Sequence, residues 1–273
     1  MKTVNPKDIS TFELQTILQT AIAPRPIALA STIDEDGNPN LSPFSFFNLF
    51  SSNPPVVIFS PARRVRDNTT KHTLENIQSV PEVVIGVVNY DMVQQVSLSS
   101  TEYDRGINEF TKSGLTMKKA TMIRPMLIEE SPVNLECKVI EVKPLGSEGG
   151  AGNLVMAEVV NIHIREEFLN TDGNLEQSKL DLVARLGGNW YSRNNEHNLF
   201  QVPKPLATKG IGFDELPDEI KLSNVFTGND LGMLANIEVL PEGKFSEDEA
   251  VHQSAKALLE KMKIAEAWNL LKK

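Results

Sequence analysis

From Ile27 to Ile164 the sequence is dominated by short apolar runs bounded by turn residues, and this pattern restricts the chain to an architecture of paired strands. Ile27–Ile33 is mostly apolar and ends in Asp34-Glu35-Asp36-Gly37-Asn38-Pro39, a dense turn signal, after which Asn40–Phe47 returns as a hairpin partner. Pro54 and Pro55 introduce Val56–Ser60, and Pro81 introduces Val83–Val88. Further on, Val133, Leu135, Cys137 and Val139 share one face of an alternating run whose other face carries Asn134, Glu136 and Lys138. A glycine-rich link, read as a hairpin loop, leads to a long partner strand over Leu154–Ile164. Short helices fit over Thr69–Gln78 and Thr101–Lys112, the second stopping at Ser113-Gly114. Strands at this density predict a mainly β barrel or sandwich, and a closed barrel is favoured because it leaves few open edges.

The C-terminal third differs in character. Pro203, Pro205, Pro217 and Pro241 punctuate 201–244, and an amphipathic helix follows. Ser246 and Glu249 form a capping-box signature there, with Val251, Ala255, Leu258, Met262 and Ala265 spaced along one face. The chain therefore reads as a barrel domain over 10–200 and a C-terminal extension over 201–273.

Charge and motifs exclude several function classes. With 27 basic and 36 acidic residues in 273, the net charge is −9, which argues against nucleic-acid or anionic-membrane binding. The lone Cys137 cannot form an intrachain disulfide or a CxxC motif, and its apolar face suggests an inert core thiol. No apolar run approaches the ~20 residues of a membrane helix, and Met1–Ser10 lacks an apolar leader, so a soluble, cytoplasmic protein is expected. There is no G-x-G-x-x-G or Walker A cradle, no H-E-x-x-H and no G-x-S-x-G. His72, His163, His197 and His252 lack metal-ligand spacing, so no metal is expected.

Two segments carry polar residues suited to a ligand. Asn40–Asn48 is odd as a plain strand because Pro43 removes a ladder donor, which predicts an open or bulged edge. Ser60–Lys71 concentrates Arg63, Arg64, Arg66 and Lys71 ahead of a helix. In an acidic protein that cluster either holds a phosphate or is a solvated basic loop.

In order, Pro24-Arg25-Pro26-Ile27, Ser31-Thr32, Asp36-Gly37, Asn40–Phe47, Asn53-Pro54-Pro55 and Phe59-Ser60 resemble the opening signature of the flavin reductase-like, FMN-binding split-barrel family, which includes flavoredoxin-like proteins. Lys71, Thr73, Asn76 and Ile77 are similar to that family's Lys-Asp-Thr-x-x-Asn-Ile helix, with His72 in place of the aspartate. Glu129–Cys137 and Gly187–Tyr191 resemble later family segments, so the likeness spans roughly residues 10–200.

The resemblance implies a six-stranded Greek-key split β-barrel with peripheral helices and a C-terminal helical extension. It implies an FMN cofactor, NADH or NADPH as electron donor, a homodimer, and free flavin, oxygen, a metal ion or a partner oxygenase as acceptor. No catalytic side chain is required, because the flavin carries the redox chemistry. Asn40, Ser42, Pro43, Phe44, Ser45 and Phe46 would border the ring and ribityl chain, with Ser31 and Thr32 near the ring. Ser60, Arg63 or Arg64, Lys71, Thr73 and Asn76 would gather at the phosphate. For Ser31, Thr32 and Ser42, local bonds within a strand are the alternative, and for Lys71 a solvated helix residue. His163 either faces a cavity or is a satisfied sheet histidine, and Trp190 and Tyr191 either cover the flavin or pack a dimer seam. The alternative function is a non-catalytic FMN-binding or electron-carrier protein.

Overall fold

The computed structural model describes all residues except 204, 206 and 207, three positions of the C-terminal segment. The chain divides into two compact units, Met1–Leu199 and Phe200–Lys273. Among the described residues no helix is long and apolar enough to cross a membrane.

The first unit opens with α1 (Thr11–Ala21), started by a Ser10–Glu13 capping box. Its strands are β1 (Ala28–Ile33), β2 (Pro39–Phe44), β3 (Phe47–Ser52), β4 (Pro55–Phe59), β5 (Glu82–Val87), β6 (Met117–Lys118), β7 (Leu127–Ile128), β8 (Val133–Pro144), β9 (Asn153–Ile164), β10 (Leu182–Arg185) and β11 (Tyr191–Asn194). Between them lie α2 (His72–Ser79), α3 (Val93–Ser99), α4 (Glu109–Ser113) and α5 (Gln177–Leu180). Seven strands form one antiparallel sheet in the order β2-β1-β5-β8-β9-β4-β3, while β6 pairs with β7 and β10 with β11. The glycine-rich segment is the β8–β9 hairpin loop, as its composition suggested.

The sheet has seven strands, not the expected six. Asn40–Asn48 is not one strand: the chain breaks at Ser45-Phe46, where Ser60 N–H donates to the Phe46 carbonyl at 2.9 Å, and β2 and β3 run on either side. These two strands are neighbours in sequence yet lie at opposite ends of the strand order. A flat sheet of this size would hold its edges roughly 29 Å apart at ~4.8 Å per spacing. The three links from Phe44 to Phe47 reach ~11 Å at most, so the sheet is rolled and its edges approach at this corner.

Alternation along the strands divides the core into two layers. Ala28, Ala30, Phe44, Phe59, Ile85 and Cys137 face one side, closed at one end by Leu74 and Ile77 of α2. Leu29, Leu41 and Val84 face the other, where Met92, Val96 and Phe110 cover them. Both faces of β1 are thus buried, which explains its near-continuous apolar run. Burial, with Glu136 beside it, pushes the Cys137 thiol up to about 12, so this cysteine is an inert core group.

The helix expected over Thr101–Lys112 is not continuous. Gly106 at φ 84° sits in a turn closed by Ile107 N–H on the Asp104 carbonyl at 3.2 Å, and α4 starts only after Asn108, whose side chain accepts from Phe110 N–H. Gly114 does end that helix, at φ 69°.

The second unit contains α6 (Asp218–Lys221), α7 (Gly228–Ala235), α8 (Glu249–Leu259) and α9 (Ile264–Leu271) around Ile220, Leu234, Leu259, Trp268 and Leu271. Thr227 and Asp230 cap α7 reciprocally. The amphipathic C-terminal helix is two helices, broken where Met262 adopts φ 59°. Its cap is Asp248, accepting from Ala250 N–H at 2.9 Å, in place of the Ser246–Glu249 box.

Candidate active site along the free edge of β2

β2 lies at a sheet edge, and Pro43 explains how it tolerates that position. In an antiparallel pair, alternate residues point their N–H groups away from the partner. Leu41 is such a residue, and Pro43, two positions on, has no donor to leave exposed. The Leu41 N–H is taken by Glu109 Oε2 at 3.0 Å, while Glu109 Oε1 accepts from Asn40 Nδ2 at 2.9 Å. Glu109 is 4% exposed and reaches this edge because Asn108 starts α4 beside β2.

Two voids flank the edge. The smaller, of about 20 Å³, is lined by Ser42, Arg64, Lys71, Ser99, Thr101 and Glu102, among others. Arg64 donates to Glu102 at 2.9 Å, to Thr69 Oγ1 at 2.8 Å and to the Thr70 carbonyl at 2.6 Å. Burial, together with the neighbouring Arg64, holds the Lys71 ammonium below its ordinary range, against the opposing pull of Glu102 and Glu109. The larger void is a cleft of about 610 Å³ that includes Pro43, Ser45, Ser97 and Ser100. Tyr90 and Tyr191 line it too, each under a guanidinium: Arg193 lies 3.6 Å from the Tyr90 ring centre and Arg185 4.6 Å from that of Tyr191. The Ser192 hydroxyl, also of the cleft, is buried with no partner.

The expected ligand residues separate into groups. Ser42 and Lys71 meet Arg64 in the small pocket, and Pro43 and Ser45 border the cleft. Thr32, Asn40, Thr73 and Asn76 instead satisfy one another. Asn40 Oδ1 accepts from Thr73 Oγ1 at 2.8 Å and from Thr32 Oγ1 at 3.3 Å, and Thr32 Oγ1 accepts from Asn76 Nδ2 at 3.1 Å. Asn40 and Thr73 still present part of their surface to the small pocket. The Phe44 side chain belongs to the core, 5.4 Å from the Phe59 ring, whereas Phe46 is exposed at the corner. Arg63 turns away from Lys71 and donates to Asn68 Oδ1 and the Asn68 carbonyl. Ser60 is buried against the β8–β9 loop at Gly152. Ser31 is fully buried and its hydroxyl has no partner.

Glu109, Glu102, Tyr90, Arg185 and Arg193 were not anticipated. Only Glu109 left a signal, as the acidic residue following a helix-capping Asn108.

His163 is a sheet histidine at the rim of a separate groove of about 650 Å³. Its Nε2 lies 2.5 Å from Glu136 Oε1, within hydrogen-bond reach. Glu136 is fully buried and also accepts from Asn161 and from the N–H groups of Thr121, Met122 and Ile123.

Residues 20–179 match the model of the flavin reductase like domain, more than half of the chain, and the chain therefore belongs to that family. An uncharacterised protein of Halalkalibacterium halodurans is 33% identical over 208 residues, covering 76% of this chain and 98% of its own. Nitrilotriacetate monooxygenase component B from Bacillus cereus has a similar fold, with a TM-score of 0.69 and 24% identity over 74% of this chain and 98% of that one. Flavoredoxin of Desulfovibrio vulgaris (Miyazaki F) matches with a TM-score of 0.58 and 20% identity over 76% and 98% of the two chains. The rolled antiparallel sheet with its helices thus resembles the flavin reductase split-barrel fold.

Proposed function

We propose that the unit formed by residues 10–200 binds FMN along the free edge of β2 and transfers hydride from NADH or NADPH through it to an acceptor. The observation that carries this reading is the pairing of two unlike voids on one strand edge: an aromatic-walled cleft beside Pro43 and Ser45, and a small cationic pocket beside Ser42. A flavin nucleotide has the same two-part chemistry, a flat ring with polar edges and a terminal phosphate. The residues present fit it, since Pro43 and Ser45 border the cleft and Lys71 is a desolvated cation in the pocket.

When bound, the flavin supplies reversible hydride acceptance and onward electron delivery. The protein's part is placement. Lys71 and Arg64 would hold the phosphate through charge-assisted bonds. Ser42 and Ser45 would offer hydroxyls to the ribityl chain and ring edge. Tyr90 and Tyr191 would wall the cleft and keep water from it. In this reading Arg63, Thr32 and Asn76 maintain the scaffold.

The likeness to a monooxygenase component supports a partner oxygenase as one acceptor. The exposed Phe12, Ile17 and Leu18 of α1 and the exposed Leu49 and Phe50 of β3 are consistent with a homodimer that covers them.

The test is the visible spectrum of the purified protein during FMN titration, followed by oxidation of NADH and NADPH. Saturable flavin perturbation with turnover of either donor supports the reading. Flavin binding without turnover leaves an electron carrier, and no perturbation defeats both.

A further inference from the structure

Glu102 stands where an anionic ligand group would have to meet Arg64. Its Oε1 accepts from Arg64 Nε at 2.9 Å and its Oε2 from Arg66 at 2.8 Å. Arg64 is fixed from behind by Thr69 and the Thr70 carbonyl, and its side chain is 17% exposed. Glu102 belongs to the irregular segment between α3 and α4, and its side chain is 42% exposed.

The pocket's two carboxylates are therefore unequal. Glu109 is buried and engaged by Leu41 N–H and Asn40, so moving it would strand two donors. Glu102 is held only through the side chains of the half-buried Arg64 and the exposed Arg66, and ion pairs whose carboxylate faces water are weak and exchange readily with it. Lys71 lies near both and is fully served by neither, since they act on it only through longer-range charge.

We propose that Glu102 is a displaceable stand-in for a phosphate, so that the pocket admits a dianionic phosphate monoester only by exchanging it for this carboxylate. The inference rests on the flavin reading above and adds a residue that sets ligand choice and affinity. A phosphate monoester carries roughly −1.5 to −2 charges and three acceptor oxygens. It can serve Arg64 and Lys71 together, which a carboxylate hydrogen-bonded to Arg64 and Arg66 does not. Glu102 then penalises every ligand that enters the pocket with too little charge to displace it. Phosphorylated flavin is bound against that penalty, whereas unphosphorylated flavin, filling only the cleft, is indifferent to it.

The experiment compares wild type with Glu102→Gln and Glu102→Ala, titrating each with FMN and with riboflavin, and with inorganic phosphate as competitor of FMN. Both substitutions should tighten FMN by about fivefold, the scale of losing one surface ion-pair competitor. The inhibition constant of phosphate as competitor should fall by a similar factor, with riboflavin unchanged within about twofold. Equal tightening of FMN and riboflavin would overturn the proposal, because the effect would then lie in the loop and not in the phosphate. Unchanged or weaker FMN binding in both variants would also overturn it, while leaving the flavin site standing. Wild type that binds neither flavin would remove the flavin reading itself and this inference with it.

Discussion

Glu109 and Leu41 are 68 positions apart in sequence, yet a carboxylate oxygen of the first accepts the backbone N–H of the second at 3.0 Å, on a sheet edge that no strand covers. The pair closes an edge that would otherwise present an unpaired donor. It also anchors α4 against β2 beside the small pocket.

Replacing Glu109 by Ala should therefore be costly. Leu41 N–H and Asn40 Nδ2 both lose their acceptor in a buried setting, for a loss of about 2–4 kcal/mol. Urea unfolding of the ligand-free protein measures it, and a loss below the error of the extrapolation would show that water takes over the contact.

Lys71→Met should leave stability unchanged or raise it while weakening FMN about 10- to 100-fold, the range for a charge-assisted bond to phosphate. Riboflavin should bind as before. The pH dependence follows from the depressed ammonium: in the window just below the ordinary lysine range, the unfolded state binds more protons than the folded one. Ligand-free wild type should gain stability as pH rises through that window, and Lys71→Met should lack the gain.

Thr73→Val and Asn76→Ala test the opposite assignment. Each breaks the buried circuit through Asn40 and Thr32 and should cost about 1–3 kcal/mol. FMN affinity should shift far less than for Lys71→Met, once measured at a temperature where each variant is fully folded. A loss of FMN binding without loss of stability would return these residues to the ligand.

Glu136 gives an acid-side signature. Burial raises its carboxyl, but the contact with His163, the N–H groups of Thr121 and Met122, and Asn161 outweigh it and hold the group down at about 2. Its folded value is depressed, so its contribution is full above the ordinary carboxylate range and is lost as pH falls from there toward 2. Glu136→Gln should be less stable at neutral pH, and the gap to wild type should narrow through that window. Acid unfolding followed by far-UV circular dichroism reads it, and a constant gap would show that the stabilisation is not electrostatic.

Composition along the chain revealed the first hairpin because Asp34–Pro39 is an unambiguous turn, and it revealed α2 through Leu74 and Ile77. The β2–β3 break was hidden because Ser45-Phe46 carries no glycine and the apolar run continues across it. Residue types at the site were legible, but their partners were not. Arg63 and Arg64 are adjacent and chemically identical, yet one is bound to Asn68 while the other faces Lys71. Thr32, Asn40, Thr73 and Asn76 have the right groups for a flavin nucleotide's ring edge or phosphate, and only their mutual distances show that they bond to each other. Glu109 fell inside a helix read as running from Thr101 to Lys112, which hid the start at Asn108 that brings it to β2.

The strand order also sets a timetable for synthesis. β1, β2 and β5 can pair among themselves, and β3 can pair with β4, but the two groups are joined only through β8 and β9. On the ribosome the nascent chain must therefore emerge as far as Ile164 before the two groups share one sheet, and until then β4 and β5 each offer an unsatisfied edge. The two residues at Ser45-Phe46 tether those halves from the start, keeping the later partners within reach throughout the wait.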